Sequence, residues 1–360
     1  MPSGKVKFGF IGVGRRGLDH IKIASRFKEA SLEAVCDVNE RRLHEVTSLY
    51  GVRAYKSLDE MLEKEKLDVA VISTPTPLHV PQTLKCLESG LDVLLEKPIT
   101  LNINEANKLL EAVKESDRIV AVGFQLRYSN VVERIKETID EDTLSMIAGC
   151  WYWTIPIINW IRLRSHGGGQ IVDQAIHLVD LARFFAGEVE SVYAVYTERG
   201  RATEEDKALG FDNWASYVVS LKFKNNVIGC IYSTYALYPA IFRTTGDESI
   251  KDKATRESSV VLDIICREML IRYVHPSEAR VYRRDRESEI YRLSGDPTAN
   301  MYRAFIEAVL TRDKGLLRTL YEDSYKTMAV SLAANESATT GKCIRLSTFL
   351  SRRSICMSPA

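Results

Sequence analysis

The chain has 360 residues, 45% hydrophobic and 27% charged, with 49 basic against 48 acidic side chains and a net charge of +1. That length suits two domains that each bury a core. The balanced charge gives no field for nucleic acid as a partner, and no apolar run reaches the ~18 residues of a membrane span.

Val6–Ile11 is a short apolar run and reads as a buried strand; Arg16–Phe27 follows with helical spacing. Leu32–Val38 is a second strand and Glu40–Tyr50 a second helix. Tyr55 lies in a short extended piece, and Leu58–Leu62 forms a helical turn behind Ser57. Next come a strand at Asp68–Ser73, a helix at Pro77–Ser89 stopped by Gly90, a strand at Asp92–Leu95, a helix at Asn104–Glu115 and a strand at Ile119–Phe124. Apolar strands alternating with amphipathic helices predict a doubly wound parallel sheet, covered on both faces, over residues 1–125.

After residue 125 the pattern changes. A helix at Val131–Ile139 leads into a strand at Leu144–Trp153 and a helix at Gln170–Phe185. Strands follow at Ser191–Thr197, Trp214–Phe223, Val227–Tyr235, Ser259–Ile264 and Met269–Val274. Short turns such as Lys224-Asn225-Asn226 indicate antiparallel pairing, and residues 199–212 read as a polar loop. Helices at Ala299–Leu310 and Tyr321–Ala338, with a short strand at Cys343–Leu346, complete a second α/β domain over residues 126–360.

The seven cysteines, Cys36, Cys86, Cys150, Cys230, Cys266, Cys343 and Cys356, are scattered and form no CxxC, which argues against a disulfide framework or a metal site. Basic pairs such as Arg283-Arg284 and Arg352-Arg353 read as solvated surface. Met1–Lys7 lacks the apolar core of a signal peptide, so a cytoplasmic location is expected.

The first strand runs into Gly12-Val13-Gly14-Arg15-Arg16-Gly17, a GxGxxG between strand and helix. Gly12 permits the tight turn, Gly14 lets the backbone approach a pyrophosphate and Gly17 lets helix and strand pack closely. The N-terminus of the helix that follows offers free N–H groups and the positive end of its dipole. Asp37, at the end of the second strand and 20 residues after Gly17, can accept hydrogen bonds from the adenosine ribose. A carboxylate there favours NAD, while Arg15, Arg41 and Arg42 leave NADP open. Thr74, Pro75 and His79 read either as cofactor contacts or as ordinary turn and capping residues.

Glu96-Lys97-Pro98 closes a parallel strand at its carboxyl end, where such sheets bind ligands. The Lys97 ammonium suits a hydrogen bond to a substrate oxygen, Glu96 is placed on the cofactor side, and the peptide bond before Pro98 is a candidate for cis. In the second half, Gly167-Gly168-Gly169 precedes Asp173, His177 and Asp180. Four residues apart on one expected helix, Asp173 and His177 read either as a proton-handling pair or as a helix-surface ion pair. Gln125, Arg127 and Tyr128, together with Trp153 and Asn159 in the aromatic stretch Trp151–Trp160, suit a sugar-binding pocket; for the aromatics a core or subunit contact is the other reading. Arg162 and Arg164 read either as contacts for an acidic or phosphorylated group or as surface arginines.

Taken in order, Gly12–Gly17, Asp37, Ser73–Pro75 with His79, Glu96-Lys97-Pro98, Val122-Gly123-Phe124 with Arg127-Tyr128, and Gly167 to Asp180 resemble the Gfo/Idh/MocA oxidoreductases, which include glucose–fructose oxidoreductase and inositol dehydrogenases. The resemblance spans essentially the whole chain. It implies an N-terminal Rossmann domain, a C-terminal α/β domain with a large, open, mostly antiparallel sheet, and hydride transfer between nicotinamide and a carbinol carbon of a sugar, cyclitol or related polyol. It puts Lys97, Asp173 and His177 at the catalytic positions, without a metal. Ala175 departs from the pattern, since many members carry glycine there. Which of Lys97 and His177 is the formal acid–base stays open. So do a non-catalytic NAD(P)-binding sensor, a redox-assisted glycosidase on the same fold, and a substrate other than a sugar. The apolar strands of the second half predict a homodimer or homotetramer through that sheet.

Overall fold

A computed structural model describes residues 4–153, 156, 159–200, 204, 208, 210–236 and 260–351. Ser259, Arg352-Arg353, Cys356, parts of the 199–212 loop and of Trp151–Trp160, and the Asn159 side chain lie outside what is described. The chain divides into two compact units: Met1–Tyr128 with Gly295–Tyr325, and Ser129–Ser294 with Lys326–Ala360.

The first unit is a six-stranded parallel sheet of β1 (Val6–Ile11), β2 (Ala30–Cys36), β3 (Arg53–Tyr55), β4 (Val69–Ile72), β5 (Asp92–Leu95) and β6 (Val120–Val122), in the order β3-β2-β1-β4-β5-β6. This is the doubly wound order, with β1 and β4 flanking the point where the winding reverses. Every residue of β4, β5 and β6 is buried, and all but Asp92 are apolar, as in a sheet covered on both faces. Helices α1 (Arg15–Ala24), α2 (Glu40–Tyr50), α3 (Leu58–Lys64), α4 (His79–Glu88) and α5 (Ile103–Ser116) connect the strands. The side chains of Asn39 and Asn102 cap α2 and α5 by accepting the N–H of Arg42 and Asn104.

Gly295–Tyr325, which the sequence reading leaves with the second domain, belongs to this first unit. The helix Pro297–Thr311 starts at Asp296, whose carboxylate accepts the N–H groups of Thr298 and Ala299. Its stripe of Met301, Tyr302, Phe305 and Ile306 joins Phe8, Phe10 and Ile21 in one core. Farther along, Leu320 bridges antiparallel to Ala121 at the β6 edge.

The second unit holds a nine-stranded sheet. Its strands are β7 (Met146–Tyr152), β8 (Val189–Thr197), β9 (Ser216–Phe223), β10 (Ile228–Thr234), β11 (Val260–Cys266), β12 (Met269–Val274), β13 (Glu278–Arg283), β14 (Glu289–Arg292) and β15 (Ile344–Arg345). The order is β14-β13-β12-β11-β7-β10-β9-β8-β15, and every pair is antiparallel except β7 with β10. The charged β13 and β14 were not foreseen: EARVYR and EIYR carry too few apolar residues to alternate visibly.

The expected single helix at Gln170–Phe185 is broken. One turn covers Gln170–Asp173, and a separate helix runs Ile176–Ala186. At the break the Ala175 N–H reaches back five residues to the Gln170 carbonyl at 2.9 Å. The i to i+4 geometry expected of Asp173 and His177 on one continuous helix therefore does not hold. Asp180 is also removed from that set, because it is buried and accepts the Thr327 hydroxyl at 2.9 Å.

Candidate functional site

In the first unit the expected cofactor residues gather at the carboxyl ends of β1, β2, β4 and β5. Gly12 adopts φ +85°, and a Cβ at Gly17 would stand 2.0 Å from the Gly12 carbonyl oxygen, so side chains are excluded at both. At Gly14, the N-cap of α1, a Cβ would meet only Arg42 Nη1 at 3.5 Å. No side chain caps α1. Its first-turn N–H groups thus stand over a cradle without side chains, which fits a pyrophosphate. The Asp37 carboxylate is held at the mouth of this loop. Oδ2 accepts the Val13 N–H at 2.7 Å and Oδ1 the Asn39 N–H at 2.8 Å. Arg41 pairs with Glu45, whereas the Arg42 guanidinium lies beside Gly14.

Asp37→Ser should therefore raise the KM for NAD by about tenfold, the worth of one charge-assisted hydrogen bond. The KM for NADP should fall, because the repelling carboxylate is gone while Arg42 remains. Steady-state titration of both cofactors checks this, and an unchanged preference would remove Asp37 from the ribose.

Glu96 and His79 are both held by protein partners. Glu96 is 5% exposed, and its Oε1 accepts Arg16 Nε at 2.6 Å and His20 Nε2 at 2.8 Å. Burial alone would push this carboxyl up. The Arg16 guanidinium and the His20 bond outweigh it and hold Glu96 well below the usual carboxylate range. An ionised carboxylate only accepts, so His20 Nε2 carries a proton, and Nδ1 lies 3.0 Å from the Tyr302 hydroxyl oxygen. His79, read either as a cofactor contact or as a capping residue, is 1% exposed with both ring nitrogens against backbone carbonyls. Thr74 donates its hydroxyl to Gln82, and Pro75 opens the turn before α4. Lys97 is half-buried just past β5, and its bond to Pro98 is cis.

Of the expected substrate residues in this unit, Arg127 is 4% exposed; it donates to the Arg318 carbonyl at 2.9 Å and pairs with Asp323. The Tyr128 hydroxyl accepts the Arg318 N–H at 3.0 Å and lies 3.2 Å from Thr319 Oγ1. Both tie Gly295–Tyr325 to the rest of the first unit. The Gln125 amide oxygen is buried without a hydrogen-bond partner among the described residues.

The second unit brings together Asp173, His177, Trp151 and Tyr235. Trp151 and Ser233 are register partners in β7 and β10, and Tyr235 lies two residues beyond Ser233 on the same face. The His177 ring stacks on Trp151 with centroids 6.0 Å apart and planes 24° from parallel. The Tyr235 hydroxyl points at Asp173 Oδ2 from 3.5 Å. Trp151 also lies 5.6 Å from the ring of His275, which burial holds down at about 4 and hence neutral. Tyr235 and His275 were not singled out from the sequence. The alternation Ile231, Ser233, Tyr235 marks an inward face, but nothing local shows that Asp173 lies opposite. Trp153 follows β7, where its N–H donates to the Thr234 carbonyl. Arg162 donates to the Pro156 carbonyl and Arg164 lies over the Trp214 ring at 4.5 Å.

Burial pushes the thiols of Cys36 and Cys86 up to about 11 and about 12, so neither supplies a thiolate. Among the described residues no group of three or more His, Cys, Asp or Glu is placed to hold a metal ion, and no helix is long and apolar enough to cross a membrane.

Residues 6–124 match the model of an oxidoreductase family with an NAD-binding Rossmann fold, and residues 133–247 match the GFO/IDH/MocA C-terminal domain. The myo-inositol 2-dehydrogenase of Thermotoga maritima is 31% identical over 63% of this chain and 67% of its own length. The chain belongs to the Gfo/Idh/MocA family. The scyllo-inositol 2-dehydrogenase (NAD(+)) of Bacillus subtilis is 31% identical over 52% of this chain, and only 56% of that relative is covered. Among solved structures, the WlbA dehydrogenase from Bordetella pertussis, in complex with NADH and UDP-GlcNAcA, superposes with a TM-score of 0.77 at 23% identity. It covers 95% of this chain and 98% of its own. Membership of the family makes the first unit an NAD-binding Rossmann domain, and the second, mostly antiparallel sheet matches the family's architecture.

Proposed function

We propose that this oxidoreductase transfers a hydride between NAD and a carbinol carbon of a sugar, cyclitol or related polyol. The observation that carries the reading is the buried set in the second unit, where an imidazole stacked on Trp151 shares one sheet face with the Asp173–Tyr235 pair. When bound, the dinucleotide supplies a hydride acceptor or donor at its nicotinamide. His177 takes the hydroxyl proton, a role an imidazole nitrogen can fill. Lys97 is the first unit's candidate to hydrogen-bond a substrate oxygen and offset negative charge that develops on it. Asp173 orients the substrate or His177, and Trp151 fixes the plane of the imidazole. The names of the inositol dehydrogenases and the sugar nucleotide in the WlbA complex support a polyhydroxylated substrate.

The outer face of the nine-stranded sheet exposes Tyr193, Val195, Val218, Ile228 and Tyr232, neighbours across β8, β9 and β10. An apolar face of this kind supports association with a second copy of the chain.

Reduction of NAD across a panel of inositols, aldoses and sugar nucleotides tests the activity. Turnover of at least one polyhydroxylated compound is expected. Tight NAD binding with no turnover on any member would favour a sensor, and aglycone release from aryl glycosides without net NAD reduction would favour the redox-assisted glycosidase.

A further inference from the structure

We propose that His79 is a positioning residue for Lys97, a clamp across the two strand-end turns from which the cofactor and the substrate oxygen are approached. The inference rests on the hydride-transfer reading, in which Lys97 meets the carbinol oxygen. β4 and β5 are hydrogen-bonded neighbours up to the pair Ile72 and Leu95, and the Glu96 N–H gives one more bond to the Ile72 carbonyl at 2.9 Å. Beyond that point the strands separate into the Thr74–Pro75 and Lys97–Pro98 turns. The His79 ring fills the gap: Nε2 lies 2.8 Å from the Thr74 carbonyl oxygen and Nδ1 lies 2.8 Å from the Pro98 carbonyl oxygen.

Several contacts hold the ring itself. It is buried, the first turn of α4 carries it, and its own carbonyl accepts the Thr83 hydroxyl at 2.7 Å. On the other side of Lys97 the backbone is held independently, since Glu96 Oε2 accepts the Lys97 N–H at 3.2 Å while Oε1 is anchored by Arg16 and His20. Lys97 therefore sits between two fixed points, a carboxylate at its N–H and an imidazole one residue onward. Backbone carbonyls only accept. A neutral ring donates to one of them, and a protonated ring donates to both. Burial, the largest influence, lowers the affinity of His79 for the second proton, and the two carbonyls and Glu96 oppose this only in part. No other side chain at position 79 can span both carbonyls with two ring nitrogens. Loosening the clamp shifts the Lys97 amine, and a displacement on the order of 1 Å in a positioned group costs about 10²-fold in rate.

The test compares wild type with His79→Phe, which keeps the bulk and removes both nitrogens, and His79→Asn, which keeps one donor nitrogen on a shorter side chain. The amine of Lys97 is followed in the full chain by NMR of ¹³C-methylated lysines, with the signal assigned through Lys97→Arg. In His79→Phe the Lys97 signal should shift and narrow toward those of exposed lysines while Lys85 stays put; His79→Asn should fall between, and it serves alone should the Phe variant fail to fold. A Lys97 signal identical to wild type in both variants would overturn the proposal. With a substrate from the panel, kcat should fall about 10²-fold in His79→Phe, with NAD affinity within threefold and partial recovery in His79→Asn. A loss of NAD affinity at unchanged kcat would return His79 to the cofactor and also overturn it. The NMR measurement does not depend on turnover, so absence of activity in wild type counts against the hydride-transfer reading alone.

Discussion

His177→Ala should lower kcat by about 10²–10⁴-fold, the usual worth of a placed proton acceptor, while the Kd for NAD stays within threefold of wild type. The separation follows from where the groups reside. The glycine cradle and Asp37 belong to the first unit, and His177 belongs to the second, stacked on Trp151. Because the ring is buried, the alanine variant leaves a void beside the indole, so His177→Asn provides the control of closer size. Stopped-flow NAD reduction gives the rate and fluorescence titration of the cofactor gives the affinity. Parallel losses of both would mean that His177 supports the fold and does no chemistry.

The second large effect separates two glycines of one motif. Gly17→Val places a Cβ 2.0 Å from the Gly12 carbonyl oxygen and 2.9 Å from the Gly12 carbonyl carbon. These are backbone atoms that no rotamer change can move aside, and overpacking of this kind costs about 1–3 kcal/mol or more. The melting temperature should drop sharply, and NAD binding should be lost with the loop. Gly14→Ala meets only the end of Arg42 at 3.5 Å, so the protein should melt as wild type does. Its Kd for NAD should nevertheless rise at least about tenfold, a cost of ~1.4 kcal/mol for holding the backbone off a phosphate. Thermal denaturation with and without NAD reads both variants. Wild-type affinity in Gly14→Ala would place the pyrophosphate elsewhere.

The Rossmann half was legible because each of its signals is local. Gly12, Gly14 and Gly17 stand within six consecutive residues, and a strand, a tight turn and a helix follow from the immediate neighbours of each. Lys97 was legible as a strand-end lysine for the same reason. For His79 and Glu96 the sequence marked special positions but not the protein partners that hold them. A buried histidine facing two carbonyls and an exposed one facing a ribose leave the same mark in a single sequence. Tyr235, His275 and Trp151 in its stacking role left no readable mark, since their partners come from strands and helices far along the chain.

What the sequence determined by itself is therefore the order of elements, the parallel first sheet, the glycine cradle and the family, all carried by hydrophobic period and short motifs. What only the tertiary structure decided is which long-range partners each buried polar group found. Examples are Glu96 with Arg16 and His20, His79 with Thr74 and Pro98, Asp173 with Tyr235, and Gly295–Tyr325 with the first core. The physical reason is that helical and strand periods report only which face of an element is buried. A buried charge or imidazole must be satisfied by whatever chain packs against it, and that chain is chosen by the fold as a whole.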